Sequence, residues 1–176
     1  TVIGRDCEVG PNAMVRDCIV GKDTTINASQ VNESTIGSHY HRRDPSPMSG
    51  PTAVLGDHCR VGDFVEVKNS VIGDGTKISH LTYVGDSDVG QRVNFGCGTV
   101  TTNYDGHKKH RCTIGDDVFL GCNTNLIAPV TVADRAYTAA GSTVTDDVPE
   151  GALAIARQRQ TNIRGWADRL RKTWKK

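Results

Sequence analysis

Aromatic residues make up only 5% of this 176-residue chain: three Phe, four Tyr and two Trp. A core built on large rings is therefore excluded, and apolar packing has to come from aliphatic side chains. A charge excess of either sign is also missing, since 21 Lys and Arg face 20 Asp and Glu for a formal net charge of +1. No global field draws such a chain onto a polyanion, so neither nucleic acid nor a membrane surface is an expected partner. No run approaches the ~20 apolar residues of a spanning helix. Thr1-Val2-Ile3-Gly4 has neither an initiator Met nor a signal peptide, which gives the expectation of a cytoplasmic protein whose front end is missing from this sequence. Cys7, Cys18, Cys59, Cys97, Cys112 and Cys122 show no CxxC spacing. That argues against zinc ribbons, redox motifs and a disulfide framework, and for reduced, mostly packed thiols. What is present is 36% hydrophobic content, enough for one domain with its own core.

The main positive feature is a short period. An aliphatic residue followed by Gly recurs at Ile3-Gly4, Val9-Gly10, Val20-Gly21, Ile36-Gly37, Val61-Gly62, Ile72-Gly73, Val84-Gly85, Val89-Gly90, Ile114-Gly115 and Leu120-Gly121, in steps of about six residues, sometimes five, or in sums of such steps. The phase continues without glycine through Leu126, Val132, Thr138 and Val144. Neither a 3.6-residue helix nor simple strand alternation produces this rhythm. One aliphatic per six residues fits short strands joined by tight turns, three of them closing a triangular coil of roughly 18 residues. The expected fold class is all-β, a parallel β-helix over residues 1–153. Residues 39–51 break the rhythm with three prolines, and Asn103 to Arg111 reads as a polar, basic loop ejected from a corner. After Pro149 the repeat ends. Residues 154–176 form an expected C-terminal arm, with a weak basic helix from Asn162 to Trp174 despite Gly165.

Specific runs sit on this periodic background. His80-Leu81-Thr82-Tyr83-Val84-Gly85-Asp86, Val93-Asn94-Phe95-Gly96, Thr102-Asn103-Tyr104-Asp105-Gly106 and Ile127-Ala128-Pro129-Val130-Thr131-Val132 occur in order, followed by Val148-Pro149-Glu150-Gly151-Ala152-Leu153 and Asn162-Ile163-Arg164-Gly165-Trp166. From about Val54 to Trp166 the chain resembles the C-terminal domain of the bacterial bifunctional N-acetylglucosamine-1-phosphate uridyltransferase/glucosamine-1-phosphate acetyltransferase. The resemblance implies a left-handed coil, against the usual crossover rule, and a homotrimer with sites between subunits. It also implies acetyl transfer from acetyl-CoA to the amine of glucosamine 1-phosphate, for UDP-N-acetylglucosamine and cell-wall precursor synthesis. The family's N-terminal uridyltransferase domain is absent from this sequence, and no metal is expected in the domain present.

Attack on a thioester needs a neutral amine, so a base titrating near neutrality suits the reaction. The resemblance assigns that base to His80. It assigns phosphosugar contacts to Lys68, Tyr83, Asn94 and Asn103. For acetyl-CoA it implies Cys97, Asn103, Tyr104, Cys122, Ala140 and Arg157, with Lys109 presented to a neighbouring subunit's site. Read without the family, Asn94 equally suits a β-helix corner or an asparagine ladder, and Lys108, Lys109, His110 and Arg111 form an exposed basic patch.

Three departures stand out. Cys122 occupies a position where the family generally has serine, and Cys97 one where it has alanine; a thiol is the weaker hydrogen bonder and it oxidises. Upstream, the family carries a Gly-Pro-Phe-Ala-x-Val-Arg-Pro-like stretch whose arginine meets the sugar phosphate, and here Gly50 falls at or beside that position. Synonymous codons exist for Asp44 to Pro51 that, read one base earlier, spell Gly-Pro-Phe-Ala-Tyr-Val-Arg-Pro. Compensating frameshifts across 39–51 are one account; a real loop in which Arg42 or Arg43 supplies the charge is the other. Two further readings stay open: a non-catalytic or impaired hexapeptide-repeat scaffold, and a zinc enzyme of carbonic-anhydrase type. The latter requires three imidazoles to converge, and nothing distinguishes such a set among His39, His41, His58, His80, His107 and His110.

Overall fold

The structure, a computed structural model, describes residues 1–16, 19–32 and 54–174. The irregular stretch 39–51 lies outside them. Short strands follow one another around three flat faces, and every pairing between strands is parallel to the equivalent strand one coil away. The first face runs from Val2–Ile3 to Val130–Val132, the second from Glu8–Val9 to Leu153–Ala154, and the third from Met14–Arg16 to Thr143–Val144. This arrangement fits a left-handed parallel β-helix.

The six-residue aliphatics point inward and stack. Ile72, Val89, Ile114 and Val132 are in register on the first face, and Ile26, Val61, Ile78, Phe95 and Leu120 on the second. Val31, Val67 and Val84 stack on the third, and beyond Thr101 the row continues through Leu126 and Val144. All are buried, each contributing about 1.5–3 kcal/mol relative to exposure. The rows explain how so few rings suffice: each rung needs one branched side chain, and the next coil covers it.

The recurrent glycine has a different cause. At Gly21, Gly56, Gly90 and Gly115 a Cβ would overlap a carboxylate of the following coil, from Asp57, Asp74, Asp116 and Asp134 respectively. Those carboxylates accept hydrogen bonds from the N–H groups of Lys22 (3.3 Å), Asp57 (2.8 Å), Gln91 (2.9 Å) and Asp116 (2.8 Å). A glycine thus clears the space through which one coil grips the next.

The structure sets the end of the coil and the start of the helix. The coil runs on past Pro149, because Leu153–Ala154 pairs with Tyr137–Thr138. Main-chain bonds from Tyr137 N–H to Ala152 O and from Ala139 N–H to Ala154 O, both 2.8 Å, carry that turn without a periodic aliphatic. The helix is shorter than expected, Trp166–Thr173, since Gly165 takes φ 68° and holds the preceding residues out of it. Among the described residues no helix is long and apolar enough to cross a membrane.

Packed thiols account for Cys59 and Cys112, where burial pushes the thiols up to about 12 and about 11. Cys7 and Cys97 are half-buried, whereas Cys122 is exposed. Cys18 lies outside the described residues.

Candidate active site

One corner, between the second and third faces, repeats a single position on successive coils. Leu81 N–H donates to Asp63 O (3.1 Å), Gly98 N–H to His80 O (3.3 Å), Asn123 N–H to Cys97 O (2.8 Å) and Gly141 N–H to Cys122 O (2.8 Å). Asp63, His80, Cys97, Cys122 and Ala140 therefore form one column. The residue after each turns the chain at positive φ: Phe64 57°, Leu81 48°, Gly98 76°, Asn123 54° and Gly141 75°. For Leu81 that conformation costs about 1–2 kcal/mol, and it holds the turn directly after His80. Arg157 joins the foot of the column, its Cδ 3.7 Å from where a Cβ on Gly141 would stand. A bond from Ala156 N–H to Ser142 Oγ (3.1 Å) ties that stretch of arm to the coil.

The next corner, between the third and first faces, holds a second cluster. Lys68 lies opposite Gly85, and Tyr83 opposite Glu66. The Tyr83 phenol occupies the space a side chain at position 85 would need. Its Oη accepts from Asn103 Nδ2 at 3.2 Å. The same Nδ2 donates to Asp86, as does Asn69 Nδ2, and Lys109 Nζ stands 3.9 Å from Asp86 Oδ2. Asp86 is only 5% exposed. Since a carboxylate can only accept, the Asn103 amide must turn its nitrogen inward, and Oδ1 is the atom it can present to a ligand.

Sequence reasoning missed Asp86. Val84-Gly85-Asp86 looks like other coil corners, and its separate role depends on the loop leaving the next coil above it. Removing the carboxylate strands two amides, at about 1–3 kcal/mol each. Asp86→Ala is thus expected to speed amide exchange across 103–111 while the coil stays protected. Hydrogen–deuterium exchange checks this, and an unchanged loop would count against it.

The loop itself is ordered by local bonds. Asp105 Oδ1 accepts from His107 and Lys108 N–H, both at 2.7 Å, and Oδ2 lies 2.7 Å from His110 Nε2. A Tyr104–Lys109 antiparallel bridge closes it. The Lys108 N–H, then the His110 ring and the His107 N–H, lower the Asp105 carboxyl to about 2 from 3.8. A depressed carboxyl pKa stabilises the folded loop above the unfolded value and loses that effect as pH falls. Loop protection is expected to be full above pH 4 and to decline between about 4 and 2, read as amide exchange at His107 and Lys108; Asp105→Asn should remove the dependence.

The fold thus gathers Lys68, Tyr83, Asn103 and Lys109 at one corner, and His80, Cys97, Cys122, Ala140 and Arg157 at the other. Between them lies a groove of about 440 Å³ along the third face, with Phe64, Glu66, Leu81, Tyr83 and Val100 in its wall. Two predicted residues stay apart. Asn94 is on the second face between Lys77 and Phe119, in neither a corner nor an internal ladder. Tyr104 is 56% exposed, its Oη donating to Gly106 O at 2.8 Å. Arg111 is engaged by Asp88, which raises its pKa, and by Asn69 O. Among the described residues no three His, Cys, Asp or Glu side chains gather to hold a metal ion; His58 pairs with Asp23 and His110 with Asp105.

Residues 5–99 match the family described as GlmU-like, C-terminal hexapeptide, more than half of the chain. The chain belongs to that family. Residues 111–146 also match the bacterial transferase hexapeptide repeat. The GlmU-like stretch contains Lys68, His80, Tyr83, Asn94 and Cys97, the repeat match contains Cys122 and Ala140, and most of the 103–111 loop falls between them. Among relatives, the chain is 54% identical over 170 residues to the bifunctional protein GlmU of Geobacillus sp. strain WCH70, and 51% identical over 169 residues to that of Clostridium beijerinckii. These alignments cover 97% and 96% of this chain but 37% of each relative, so the chain spans little more than a third of their length. It corresponds to their C-terminal part. Solved structures share the fold at low identity. An Arabidopsis UDP-N-acetylglucosamine acyltransferase aligns with TM-score 0.56 at 16% identity, over 88% of this chain and 67% of that one. A GDP-perosamine N-acetyl transferase mutant from Caulobacter crescentus, in complex with CoA and GDP-perosamine, aligns with TM-score 0.55 at 23% identity, over 78% and 54%.

Proposed function

We propose that this domain transfers an acetyl group from acetyl-CoA to the amine of glucosamine 1-phosphate, giving N-acetylglucosamine 1-phosphate for UDP-N-acetylglucosamine and cell-wall precursor synthesis. The observation that carries the reading is the column, which sets His80 in line with Cys97, Cys122, Ala140 and Arg157, one groove away from Lys68, Tyr83 and Asn103. Acetyl-CoA would lie along the column with its thioester near His80. The acceptor would lie across the third face, its phosphate toward Lys68 and a hydroxyl donating to Asn103 Oδ1. His80 then takes the amine proton as nitrogen attacks the carbonyl carbon. The C–S bond breaks, and the proton returns to the departing CoA thiolate.

A single chain leaves Asn94 and Tyr104 facing away from this groove. That supports a homotrimer in which neighbouring coils complete each site. Lys109, paired here with Asp86 of its own chain, would reach the neighbour by exchanging that partner for a ligand anion. The competing reading is a scaffold without turnover, favoured by Gly50 at or beside the position of the family's phosphate-binding arginine and by Cys122 in place of serine. CoA release from acetyl-CoA with glucosamine 1-phosphate, compared with other amines, separates the two, and sedimentation gives the assembly state. Lys68→Ala should weaken the acceptor about ten- to a hundred-fold through loss of one charge-assisted contact, with acetyl-CoA affinity kept; equal loss of both ligands would argue against this placement.

A further inference from the structure

Cys97 and Cys122 occupy equivalent positions on neighbouring coils. Phe95 pairs with Leu120, Gly96 N–H donates to Leu120 O at 2.8 Å, and Asn123 N–H donates to Cys97 O at 2.8 Å. Neighbouring strands stand ~4.8 Å apart, inside the ~4.4–6.8 Å Cα separation that a disulfide spans. Each cysteine precedes a positive-φ corner residue, Gly98 or Asn123, so both Cα–Cβ bonds leave the coil in the same sense. Both lie at a turn, where a small tilt can bring the Cβ atoms together without breaking a strand pair. Cys122 is exposed and Cys97 half-buried, in contrast to the buried Cys59 and Cys112. His80 stands on the coil next to Cys97 in the same column.

We propose that Cys97 and Cys122 are a redox pair that low-molecular-weight disulfides close, with coenzyme A disulfide the preferred reagent. The Cys122 thiolate attacks one sulfur of the reagent, its S–S bond breaks, and one coenzyme A thiolate leaves, giving a mixed disulfide. Cys97, deprotonated, attacks the Cys122 sulfur and releases the second thiolate. The protein loses two hydrogens and the reagent becomes two thiols. Closure of the pair rests on the coil geometry alone; the preference for coenzyme A rests on the acetyl-CoA reading, which places that molecule along this column.

The test treats the folded, reduced chain with coenzyme A disulfide or with oxidised glutathione, then maps peptides by mass. The expected product is a Cys97–Cys122 cross-link that dithiothreitol reverses, formed about tenfold faster with coenzyme A disulfide because binding raises the local concentration. In Cys97→Ser the mixed disulfide on Cys122 should persist. Absence of the cross-link in the wild-type chain, or a cross-link that instead joins Cys18 or Cys7, overturns the pair. Equal rates with the two reagents overturn the coenzyme preference. Acetyl transfer assayed on the reduced chain judges the functional reading separately, so its failure leaves the cross-link result standing on its own.

Discussion

Replacing His80 by alanine is expected to lower acetyl transfer about 10²–10⁴-fold, the usual contribution of a positioned general base, while acetyl-CoA binding and assembly persist. His80 ends the strand Lys77–His80 with its side chain exposed at a corner, and its main chain, through the carbonyl that binds Gly98 N–H, is what the coil uses. Alanine keeps that carbonyl. A steady-state assay beside calorimetric titration of acetyl-CoA decides the matter: near-normal turnover would remove His80 from the chemistry, and joint loss of turnover and binding would make it structural.

The largest stability effect is expected at Gly115→Val. Position 115 is not at positive φ; its need for glycine is spatial. A Cβ there would overlap Asp134 Oδ1 and crowd Asp134 N and the Ala133 carbonyl carbon, which are main-chain atoms of the next coil and cannot swing aside. Relief requires the two coils to part, losing the Asp116 N–H to Asp134 bond and loosening the rung of Ile114 against Val132. A loss of ~3 kcal/mol in urea unfolding follows, at the upper end of what overpacking that shifts the backbone costs. Gly106→Ala makes the contrast. Nothing lies within 4 Å of a Cβ there, so its φ of 93° is the only obstacle, and the cost should stay at ~1–2 kcal/mol. Equal destabilisation by the two would show that glycine serves this coil only through backbone freedom.

The six-residue spacing of Ile72, Ile78 and Val84 is visible in the sequence because each aliphatic fills one rung per face, and that periodicity was enough to expect the three-sided coil. The glycines were visible without their reason. Asp74 and Asp134 sit a full coil away from Gly56 and Gly115, and no local rule links residues at that distance. The place of His80 within its run of residues could be read directly; the contacts of Asp86 could not, since they depend on Asn69, Asn103 and Lys109 arriving from three places in the chain. The strand Leu153–Ala154 lies beyond the aliphatic rhythm, and main-chain pairing with Tyr137–Thr138 sustains it. At the other extreme, the run from Asn162 to Trp174 reads as helical through Gly165, yet the left-handed conformation of that glycine sets where the helix begins.

A loop leaves this coil at the corner between its third and first faces. Asn103 to Arg111 departs after Val100–Thr102 and returns at Cys112–Ile114, which pairs in register with Ser87–Val89 as if no residues intervened. Chain length is thus unconstrained at the passage from third face to first, while rung order is strictly conserved on either side. Such a corner is a graft point. A foreign peptide inserted between Asn103 and Arg111 would be carried at a fixed height on a rigid prism, with no strand obliged to shift to make room for it.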